Sequence, residues 1–376
     1  MKTLATVLRA VTDKRPYVDS RPLAVEEVTL GAPRAGELLV RMEAAGVCHS
    51  DLSVVDGSRV RPLPMALGHE AAGVVEAVGP GVRDVKAGDH VVLTFVPSCG
   101  VCAECSSGRP ALCTPGAAAN GAGALLHGPS LLSDASGAPI HHHMGISGFA
   151  RHAVVARESA VVVPSDVPLV TAALFGCAVL TGAGAVMNTA PVRPGQAVAV
   201  FGLGGVGQAA VMGAAAAGAA MVIAVDPVEA KRKLALQVGA THALAPEGAE
   251  QRIKELTGGG AELAYEAAGV PAVLEATFRS LRRGGTAVAM GLPHPSRTLT
   301  LPALAFAGEG KNLVGSYMGS SSPQRDIPRY LALWKAGKMP VDRLLTDTLP
   351  LSRVNEAMEA LASGQAVRQV LLPQAP

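Results

Sequence analysis

Two different rhythms of apolar and polar positions divide this chain. Up to Val155, short apolar runs of strand type are separated by turns rich in Gly and Pro, such as Gly79-Pro80-Gly81. Beyond Pro194-Gly195, buried strands alternate with helices of small residues, which is typical of a parallel sheet with helices on both faces. The predicted strands span residues 37–44, 72–78, 90–95, 153–155, 197–201, 220–225, 241–244, 262–265, 286–290 and 312–317. The predicted helices span residues 205–218, 228–237, 249–256 and 271–281.

The same patterns predict two domains and an α/β fold class. A β-rich domain over residues 1–178 precedes a doubly wound parallel-sheet domain over residues 179–321. The tail, 322–376, is predicted to return to the first domain with helices at 327–336 and 352–362 and a strand at 369–372. Residues 114–140 are rich in Ala, Gly, Ser and Pro with little periodicity, so we expect a surface excursion there.

Composition narrows the class of protein further. Residues 197–225 carry no charge and are long enough to cross a membrane, but their clustered glycines favour a strand, a turn, a helix and a second strand. A net charge of +2 and an aromatic content of 3% favour neither a nucleic-acid groove nor an anionic membrane surface. The first residues lack the apolar core of a signal peptide, so we expect a cytoplasmic protein.

A glycine-rich turn follows the strand predicted at 197–201. Its GxGxxG arrangement consists of Gly202, Gly204, Gly205, Val206 and Gly207. The first glycine permits the tight turn, the second lets a pyrophosphate approach the backbone, and the last allows close packing of helix on strand. Asp226, at the end of the next strand, would bond an adenosine ribose and repel a 2′-phosphate, which predicts NAD rather than NADP. A purely structural turn is the alternative.

All six cysteines fall into two sets that suit zinc. Four lie close together as Cys99-x2-Cys102-x2-Cys105-x7-Cys113. Four thiolates form a closed tetrahedral shell, so this set predicts a structural zinc, with redox-active thiols as the alternative. In a chain without an export signal, such clustering favours metal over disulfides.

The other two cysteines, Cys48 and Cys177, flank His69 in the sequence. Together these three would give a Cys2His set with an open fourth position, as a catalytic zinc requires. An isolated histidine is more often a hydrogen-bonded core residue, and Cys177 could equally be a small buried hydrophobe. Glu70 directly after His69, and the polar run 49–51 after Cys48, favour the metal.

Together these motifs resemble those of the zinc-dependent medium-chain alcohol dehydrogenases over essentially the whole chain. The shared segments are 46–51, 68–73, the four-cysteine lobe, Cys177 with Thr181-Gly182, and 202–207. In length and layout the chain is most similar to the longer, class III-like branch. The resemblance implies a GroES-like catalytic domain and a Rossmann coenzyme domain, with the substrate zinc in the cleft between them. It also implies two zinc ions per subunit, one catalytic and one structural, and NAD.

The resemblance assigns roles to residues around the catalytic zinc. Cys48, His69 and Cys177 would bind the ion. Glu70 would be a nearby carboxylate, and Asp51 would orient His69. The ion would lower the pKa of the bound alcohol, so that the alkoxide passes hydride to NAD+.

The resemblance also implies a route for the released proton. Ser50 matches the hydroxyl residue that hands this proton towards the cofactor ribose, although a simple turn serine is the alternative. Ser53 stands where several members of the family carry a histidine that passes the proton to solvent. A serine cannot act as a base at neutral pH, so we expect water or His49 to substitute.

Further matches concern the cofactor and the substrate pocket. His49 and Arg368 would lie near the pyrophosphate, Lys231 near the adenosine ribose, Thr181 and Val206 against the nicotinamide, and Phe95 at the pocket wall. A solvated helix lysine and a strand core residue are the alternative roles for Lys231 and Phe95. The adjacent His141, His142 and His143 are interpreted as structural or surface residues.

The predicted substrate is a small alcohol or aldehyde: a primary alcohol, aromatic or medium-chain. A glutathione-dependent formaldehyde dehydrogenase is the alternative, but the arginine that this branch carries after its last structural cysteine has no counterpart in 113–117. A non-catalytic nucleotide-binding protein is a remote third interpretation. Strand 312–317 would be a free sheet edge that pairs in a homodimer, with a homotetramer as the alternative.

Overall fold

The computed structural model describes residues 1–376, which divide by their contacts into two compact units. Unit 1 comprises Met1–Cys177 and Leu345–Pro376, and unit 2 comprises Ala178–Leu344. The chain therefore returns to unit 1 at Leu345, which revises the expected return at residue 322.

Helix Pro323–Lys335 accounts for this revised boundary. Its buried Asp326 accepts hydrogen bonds from Asn188 Nδ2 and from the amide of Ser322, both within unit 2. Since a buried carboxylate is costly without such donors, the helix stays with the unit that supplies them. The composition of residues 322–376 does not reveal these hydrogen bonds to Asp326.

The strands and helices follow the predicted rhythm closely. The strands are β1 (Lys2–Leu8), β2 (Leu23–Leu30), β3 (Glu37–Val47), β4 (Met65–Ala66), β5 (Ala71–Val78), β6 (His90–Leu93), β7 (Leu132–Ser133), β8 (Pro139–His142), β9 (His152–Ala156), β10 (Ala160–Val163), β11 (Ala197–Phe201), β12 (Met221–Val225), β13 (His242–Leu244), β14 (Ala261–Glu266), β15 (Leu281–Ala289), β16 (Asn312–Gly315), β17 (Leu345–Pro350) and β18 (Arg368–Leu372). The α-helices are α1 (Tyr17–Ser20), α2 (His49–Val55), α3 (Ala103–Ser106), α4 (Thr114–Ala122), α5 (Leu169–Ala173), α6 (Leu180–Gly184), α7 (Gly205–Ala216), α8 (Glu229–Gln237), α9 (Ala249–Thr257), α10 (Pro271–Arg279), α11 (Ala303–Ala307), α12 (Pro323–Lys335) and α13 (Val354–Ala362). Every predicted strand and helix is present, so local periodicity located the elements correctly.

Unit 1 combines a closed barrel with a seven-stranded sheet. The barrel order is β1-β2-β7-β8-β4, and the sheet order is β10-β6-β5-β3-β18-β17 with β9 also paired to β3. Strand β18 comes from the C-terminal tail and pairs antiparallel with β3, which places Gln369 opposite Val47. The tail thus completes unit 1, and this register brings Arg368 to the end of β3.

Residues 114–140 are part of the fold of unit 1 rather than a surface excursion. They form α4, β7 and β8, and the two strands close the barrel. Leu125, Leu132 and Ile140 are buried in its core. The expectation was wrong because β7 has only two residues and β8 four, too short to show an alternating pattern.

Unit 2 is a doubly wound parallel sheet. Its six strands run in the order β13-β12-β11-β14-β15-β16. Residues 197–225 form β11, the glycine turn, α7 and β12, as predicted. Apolar side chains such as Phe201, Ile223, Ile253 and Phe278 fill a buried core between sheet and helices, which is why β11 and β12 carry no charge.

The segment Leu169–Thr189 is the one helix long and apolar enough to cross a membrane by length and composition, and 83% of its apolar window is buried within the protein. A core helix passes the same test. The segment contains two π-helical turns, Phe175–Val179 and Ala185–Thr189. Cys177 lies in the first of them, and such turns often occur at functional sites.

Candidate active site

Cys48 lies at the junction of a strand and a helix. Strand β3 ends at Val47, and Cys48 is the N-cap of α2. Three residues later, Asp51 Oδ2 accepts the Cys48 N–H at 3.0 Å. This reciprocal capping arrangement fixes the first turn of the helix and with it the Cys48 side chain.

His69 is held by Asp51 and leaves one ring nitrogen available. Gly68 adopts φ +93°, and a Cβ there would lie 2.5 Å from the amide nitrogen of Phe149, so the turn before His69 requires glycine. The Nδ1 of His69 lies 2.9 Å from Asp51 Oδ1. The Nε2 of His69 is buried and has no hydrogen-bond partner. A donor Nδ1 leaves a lone pair on Nε2, as a metal-binding imidazole requires.

The structure brings Cys48, His69 and Cys177 together, as the sequence predicted. Their ligand atoms all lie within 4.8 Å of one another, and all three side chains are buried. Two thiols, an orphaned imidazole nitrogen and no fourth protein ligand in the group fit a catalytic zinc. When bound, zinc would supply Lewis-acid polarisation of an alcohol oxygen.

Charge is unevenly distributed over this buried group. A hydrogen bond from Cys177 and the nearby Arg368 charge lower the pKa of Cys48 well below its usual value. The same pairing with Cys48, together with burial, raises the pKa of Cys177. Burial opposes ionisation of Asp51, yet His69 and His143 outweigh it and lower the pKa of that carboxyl. Without an ion, these contacts favour one thiolate and one carboxylate, and a bound zinc would deprotonate both thiols.

Glu70 and Arg368 form a buried ion pair near Cys48. Arg368 Nη2 lies 3.1 Å from Glu70 Oε2, and Arg368 Nη1 donates to the carbonyl of Val47 at 3.0 Å. A Cβ on Gly46 would overlap Glu70 Oε1, so glycine at 46 makes room for this carboxylate. Burial raises the pKa of Glu70 to about 7, although Arg368 opposes this. The predicted pyrophosphate role of Arg368 stays a prediction.

Two aromatic rings pack against His69. Phe95 lies edge-on at a centroid distance of 5.8 Å, and His143 does so at 5.4 Å. Phe95 is 6% exposed, which fits a wall beside the zinc ligands.

The three adjacent histidines differ from one another. His142 is buried beside Ser147 Oγ, which fits the predicted structural role, and His141 is half-buried. His143 is neither a surface residue nor remote from the site, because its Nδ1 lies 3.2 Å from Asp51 Oδ1. Burial lowers the pKa of His143. Asp51, His69 and His143 also come within ligand distance of one another. Since His69 Nδ1 already bonds to Asp51, this group supports the zinc ligand instead of forming another metal site.

The residues of the predicted proton route lie in the first turns of α2. Ser50 is half-buried, and His49 is exposed. The Ser53 hydroxyl donates to the His49 carbonyl at 2.8 Å. Ser53 is therefore occupied with the helix backbone, in agreement with its exclusion as a base.

The four clustered cysteines also converge. The Sγ atoms of Cys99, Cys102, Cys105 and Cys113 lie within 4.8 Å of one another. Backbone amides surround them: Cys113 Sγ accepts from the amides of Cys99 and Gly116 at 3.3 and 3.4 Å. Backbone hydrogen bonds lower the pKa of Cys102 to about 6, whereas burial raises the pKa of Cys105 to about 12 and also raises that of Cys113. Such N–H donors stabilise thiolates, so the lobe suits a structural zinc.

The glycine turn has the geometry that a dinucleotide needs. Gly202 adopts φ +87°, and a Cβ on Gly207 would overlap the carbonyl of Gly202. Gly204, by contrast, has open space where its Cβ would be, which leaves the backbone accessible to a phosphate. Asp226 Oδ2 accepts the Leu203 N–H at 2.7 Å, so the acidic residue also holds the turn.

The remaining predicted cofactor residues lie around this turn in unit 2. Thr181 is nearly buried in α6, and a Cβ on its neighbour Gly182 would overlap the carbonyl of Val206 in α7. The two predicted nicotinamide residues therefore lie at a close approach of α6 and α7. Lys231 is half-buried in α8, and its carbonyl accepts from Gln208 Nε2 at 2.8 Å.

Comparisons with known proteins agree with this geometry. Residues 34–166 match the alcohol dehydrogenase GroES-like domain, and residues 205–336 match the zinc-binding dehydrogenase domain. The chain is 41% identical to geraniol dehydrogenase of Castellaniella defragrans over 93% of this chain and 94% of the relative. It is 40% identical to an NDMA-dependent alcohol dehydrogenase of Amycolatopsis methanolica over the full length of both. This chain belongs to the zinc-dependent medium-chain alcohol dehydrogenases.

A solved structure of benzyl alcohol dehydrogenase from Acinetobacter calcoaceticus superimposes on this alcohol dehydrogenase with a TM-score of 0.92. The two chains are 32% identical, and 99% of each is covered. This alcohol dehydrogenase is thus an oxidoreductase acting on alcohols, with a GroES-like domain and a Rossmann domain, zinc and a nucleotide cofactor.

The sequence did not reveal every residue of the active site. His143 is separated from His69 by 73 intervening residues, and only the run of three histidines drew attention to it. No sequence pattern predicted the close fit of Gly46 to Glu70. Nor did any pattern predict the hydrogen bond from Arg368 to the Val47 carbonyl. The first follows from the pairing of β3 with β5, and the second from the pairing of β3 with β18.

Proposed function

We propose that this alcohol dehydrogenase oxidises primary alcohols, aromatic or medium-chain, to aldehydes with NAD+ as the hydride acceptor. The observation that carries the proposal is the buried Cys48, His69 and Cys177 set, in which His69 Nε2 has no protein partner and the Phe95 ring packs beside it. Relatives named geraniol dehydrogenase and benzyl alcohol dehydrogenase support an apolar primary alcohol as substrate.

The residues of the chain divide the work of the reaction. Zinc held by the two thiolates and the imidazole would acidify the bound alcohol. The four-cysteine lobe would hold a second, structural zinc, so that each chain binds two zinc ions. Asp51 keeps the His69 ring in the tautomer that exposes Nε2. Phe95 offers an apolar surface to the substrate chain. Ser50, half-buried at the start of α2, would take the alcohol proton as it releases its own hydroxyl proton to the cofactor ribose, water or His49.

The preference for NAD rests on Asp226. Its carboxylate lies at the end of β12 and is already bonded to the amides of Leu203 and Val228. A fixed negative charge there favours ribose hydroxyls over a 2′-phosphate. One relative is named NDMA-dependent, so turnover with NDMA is a separate arm of the test.

A glutathione-dependent formaldehyde dehydrogenase is the second enzyme interpretation. It would need a cation near the substrate entrance for the glutathione carboxylate, and 113–117 contain none. The class III-like assignment remains a prediction from length and layout. Strict dependence of formaldehyde oxidation on glutathione would overturn the preference for simple alcohols.

The decisive experiment combines metal analysis with kinetics. A panel of benzylic, allylic, medium-chain and short alcohols is assayed by NADH absorbance, with NADP+ and NDMA as alternative acceptors. We expect two zinc ions per chain and the highest kcat/KM with apolar primary alcohols and NAD+. Cys48→Ala should hold one zinc and lose more than about a hundredfold in activity. This loss exceeds the roughly 10- to 100-fold effect typical of residues that only support a metal ligand. Full turnover with zinc in the four-cysteine lobe alone would refute the proposal.

We further propose a homodimer formed through the free edge of β16, and a reducing, cytoplasmic location. The first is supported by the place of β16 at the edge of its sheet and by the exposed side chains of Leu304 and Phe306 just before it. The reducing, cytoplasmic location is supported by the six cysteines, which are all free and all belong to the two candidate metal sets. A tetramer is the alternative assembly.

A further inference from the structure

A second buried histidine stands beside the zinc ligand His69. His143 is 1% exposed, and its ring packs on His69 at 5.4 Å with an interplanar angle of 77°. Its Nδ1 lies 3.2 Å from Asp51 Oδ1, the same oxygen that His69 Nδ1 approaches to 2.9 Å. No step of the proposed reaction uses this imidazole.

The contacts of Asp51 show what His143 contributes. One carboxylate oxygen, Oδ2, accepts the Cys48 N–H at 3.0 Å, and the other faces both imidazoles. A carboxylate offers about four lone pairs, enough for three donors. Asp51 is fully buried, and a buried charge is costly unless such donors surround it. His143 is therefore one of three groups in polar contact with this carboxylate, beside the hydrogen bonds from Cys48 and His69.

The hydrogen on His143 can be placed from the same geometry. Opposite an ionised carboxylate, an unprotonated Nδ1 would point a lone pair at Oδ1, which is repulsive at 3.2 Å. Nδ1 therefore carries the hydrogen. His69 Nδ1 makes a hydrogen bond to Oδ1, whereas His143 Nδ1 makes a close polar contact outside hydrogen-bond geometry. A shift of His143 would move Oδ1 and rotate the His69 ring with it.

The backbone around His143 is fixed independently of its ring. The His143 N–H donates to Ser147 Oγ at 3.0 Å, and that hydroxyl lies 2.9 Å from the Ala66 carbonyl. The Gly148 N–H donates to the Gly68 carbonyl at 3.0 Å. The His143 turn is thus tied to the residues just before His69. A ring of similar shape at position 143 should leave this backbone intact.

We propose that His143 is a positioning residue for the catalytic zinc: through Asp51 Oδ1 it fixes the His69 ring and so the direction of His69 Nε2. This inference rests on the proposed function, because it concerns the same zinc site. It predicts that the donor at position 143, rather than the ring, determines how firmly the ion is held.

The test compares two variants with one matched control. His143→Phe keeps a ring and removes the donor, whereas His143→Asn places an amide N–H near the former Nδ1. His141→Phe makes the same change at a half-buried neighbour. Affinity for the catalytic zinc is measured by competition with a chelator, and the geometry of the site by the visible bands of the Co2+-substituted protein. We expect His143→Phe to bind zinc about 10- to 100-fold more weakly with shifted cobalt bands. His143→Asn should recover most of the affinity, and His141→Phe should match the unmodified protein.

Several results would overturn the inference. These are an unchanged affinity and cobalt spectrum in His143→Phe, a loss in His143→Asn as large as in His143→Phe, or an equal loss in His141→Phe. If His143→Phe does not fold, the unmodified zinc protein labelled with 15N-histidine still decides the matter. Its nitrogen shifts should show both His69 and His143 protonated at Nδ1, and an unprotonated Nδ1 on His143 would refute the role. Failure of the unmodified protein to bind a second zinc would refute the proposed function instead.

Discussion

At the scale of single residues, some side chains of the active site pack so closely that an added atom would overlap a neighbour. Glu70 is fully buried between the backbone of Gly46 and the guanidinium of Arg368. A buried ion pair contributes little net stability, yet removal of one partner costs about 3–5 kcal/mol, because the other charge remains buried. Small changes of volume at this point should therefore have large effects.

The first prediction concerns Gly46→Ala. The new Cβ would overlap Glu70 Oε1 and lie 2.7 Å from Glu70 Cδ, so the carboxylate must move away from Arg368. We expect a loss of about 1–3 kcal/mol in the free energy of unfolding, as for other overpacked sites, together with weaker binding of the catalytic zinc. Urea unfolding and zinc titration measure the two effects.

The control is Gly121→Ala in α4, where nothing lies within 4 Å of the added Cβ. This change should be neutral or stabilise by up to about 1 kcal/mol, since alanine favours helix over glycine. Equal stability of the two variants would contradict the steric argument at Gly46.

The second prediction concerns acid stability and His142. Burial lowers the pKa of His142 to about 3 from a usual 6.5. In the unfolded chain the His142 side chain therefore takes up a proton near pH 6.5, whereas in the folded protein this side chain stays neutral at that pH. The stability that this residue contributes is present above pH 6.5 and is lost as the pH falls towards 3, by up to about 1.4 kcal/mol per pH unit.

The variant His142→Asn keeps a polar group for Ser147 but does not titrate. Its free energy of unfolding, measured in urea at pH 6, 5 and 4, should fall with a smaller slope than that of the unmodified protein. His141→Asn serves as the control and should keep the original slope. Parallel slopes for all three proteins would show that His142 is not responsible.

At the scale of elements, the candidate site residues lie at the ends of strands and in turns. Cys48 follows β3 at the cap of α2, Cys177 lies in a π-helical turn, and Gly202 follows β11. The sequence predicted the first and third of these positions because a strand followed by polar or glycine-rich residues is a local pattern. The π-helical turn is not encoded in any comparable pattern, and this left Cys177 uncertain until the structure was considered.

The third prediction concerns the four-cysteine lobe. Structural zinc contributes about 10–16 kcal/mol in small zinc-binding peptides, as much as the whole stability of many domains. Cys113→Ser should therefore release one zinc and unfold residues 97–116 locally. Hydrogen exchange should rise in this lobe and stay unchanged in β11–β16. Cys177→Ser provides the comparison, since it should lose the other zinc and leave the lobe protected. Protection of the lobe in Cys113→Ser would contradict a structural role for the metal.

At the scale of the whole molecule, the six-stranded sheet ends at β16, which has no further strand of this chain beyond it. Leu304 is 77% exposed and Phe306 41%, and both lie in α11 just before this strand. A free edge beside exposed apolar side chains is a surface that proteins normally cover. The proposed homodimer would cover it.

The fourth prediction follows from this surface. Leu304→Asp places a charge where the partner would pack. We expect dimerisation to weaken about a hundredfold or more, because an uncompensated buried charge costs about 3–5 kcal/mol. Light scattering over a range of protein concentrations measures the change. Val60→Asp, on an 88% exposed side chain of unit 1, should leave assembly unchanged. A dimer that persists in Leu304→Asp, or that dissociates in both variants, would count against the β16 interface.

The sequence by itself determined the kind of fold, the glycine turn with Asp226, and the four clustered cysteines as a candidate metal set. These features are local: periodicity shows within one element, and clustered cysteines already lie close together along the chain. The tertiary structure alone decided that 114–140 close a barrel, that the tail returns at Leu345, and that Arg368 and His143 lie near the zinc ligands. These outcomes depend on strand register and burial between segments far apart in the chain, and no local pattern of residues specifies such pairings.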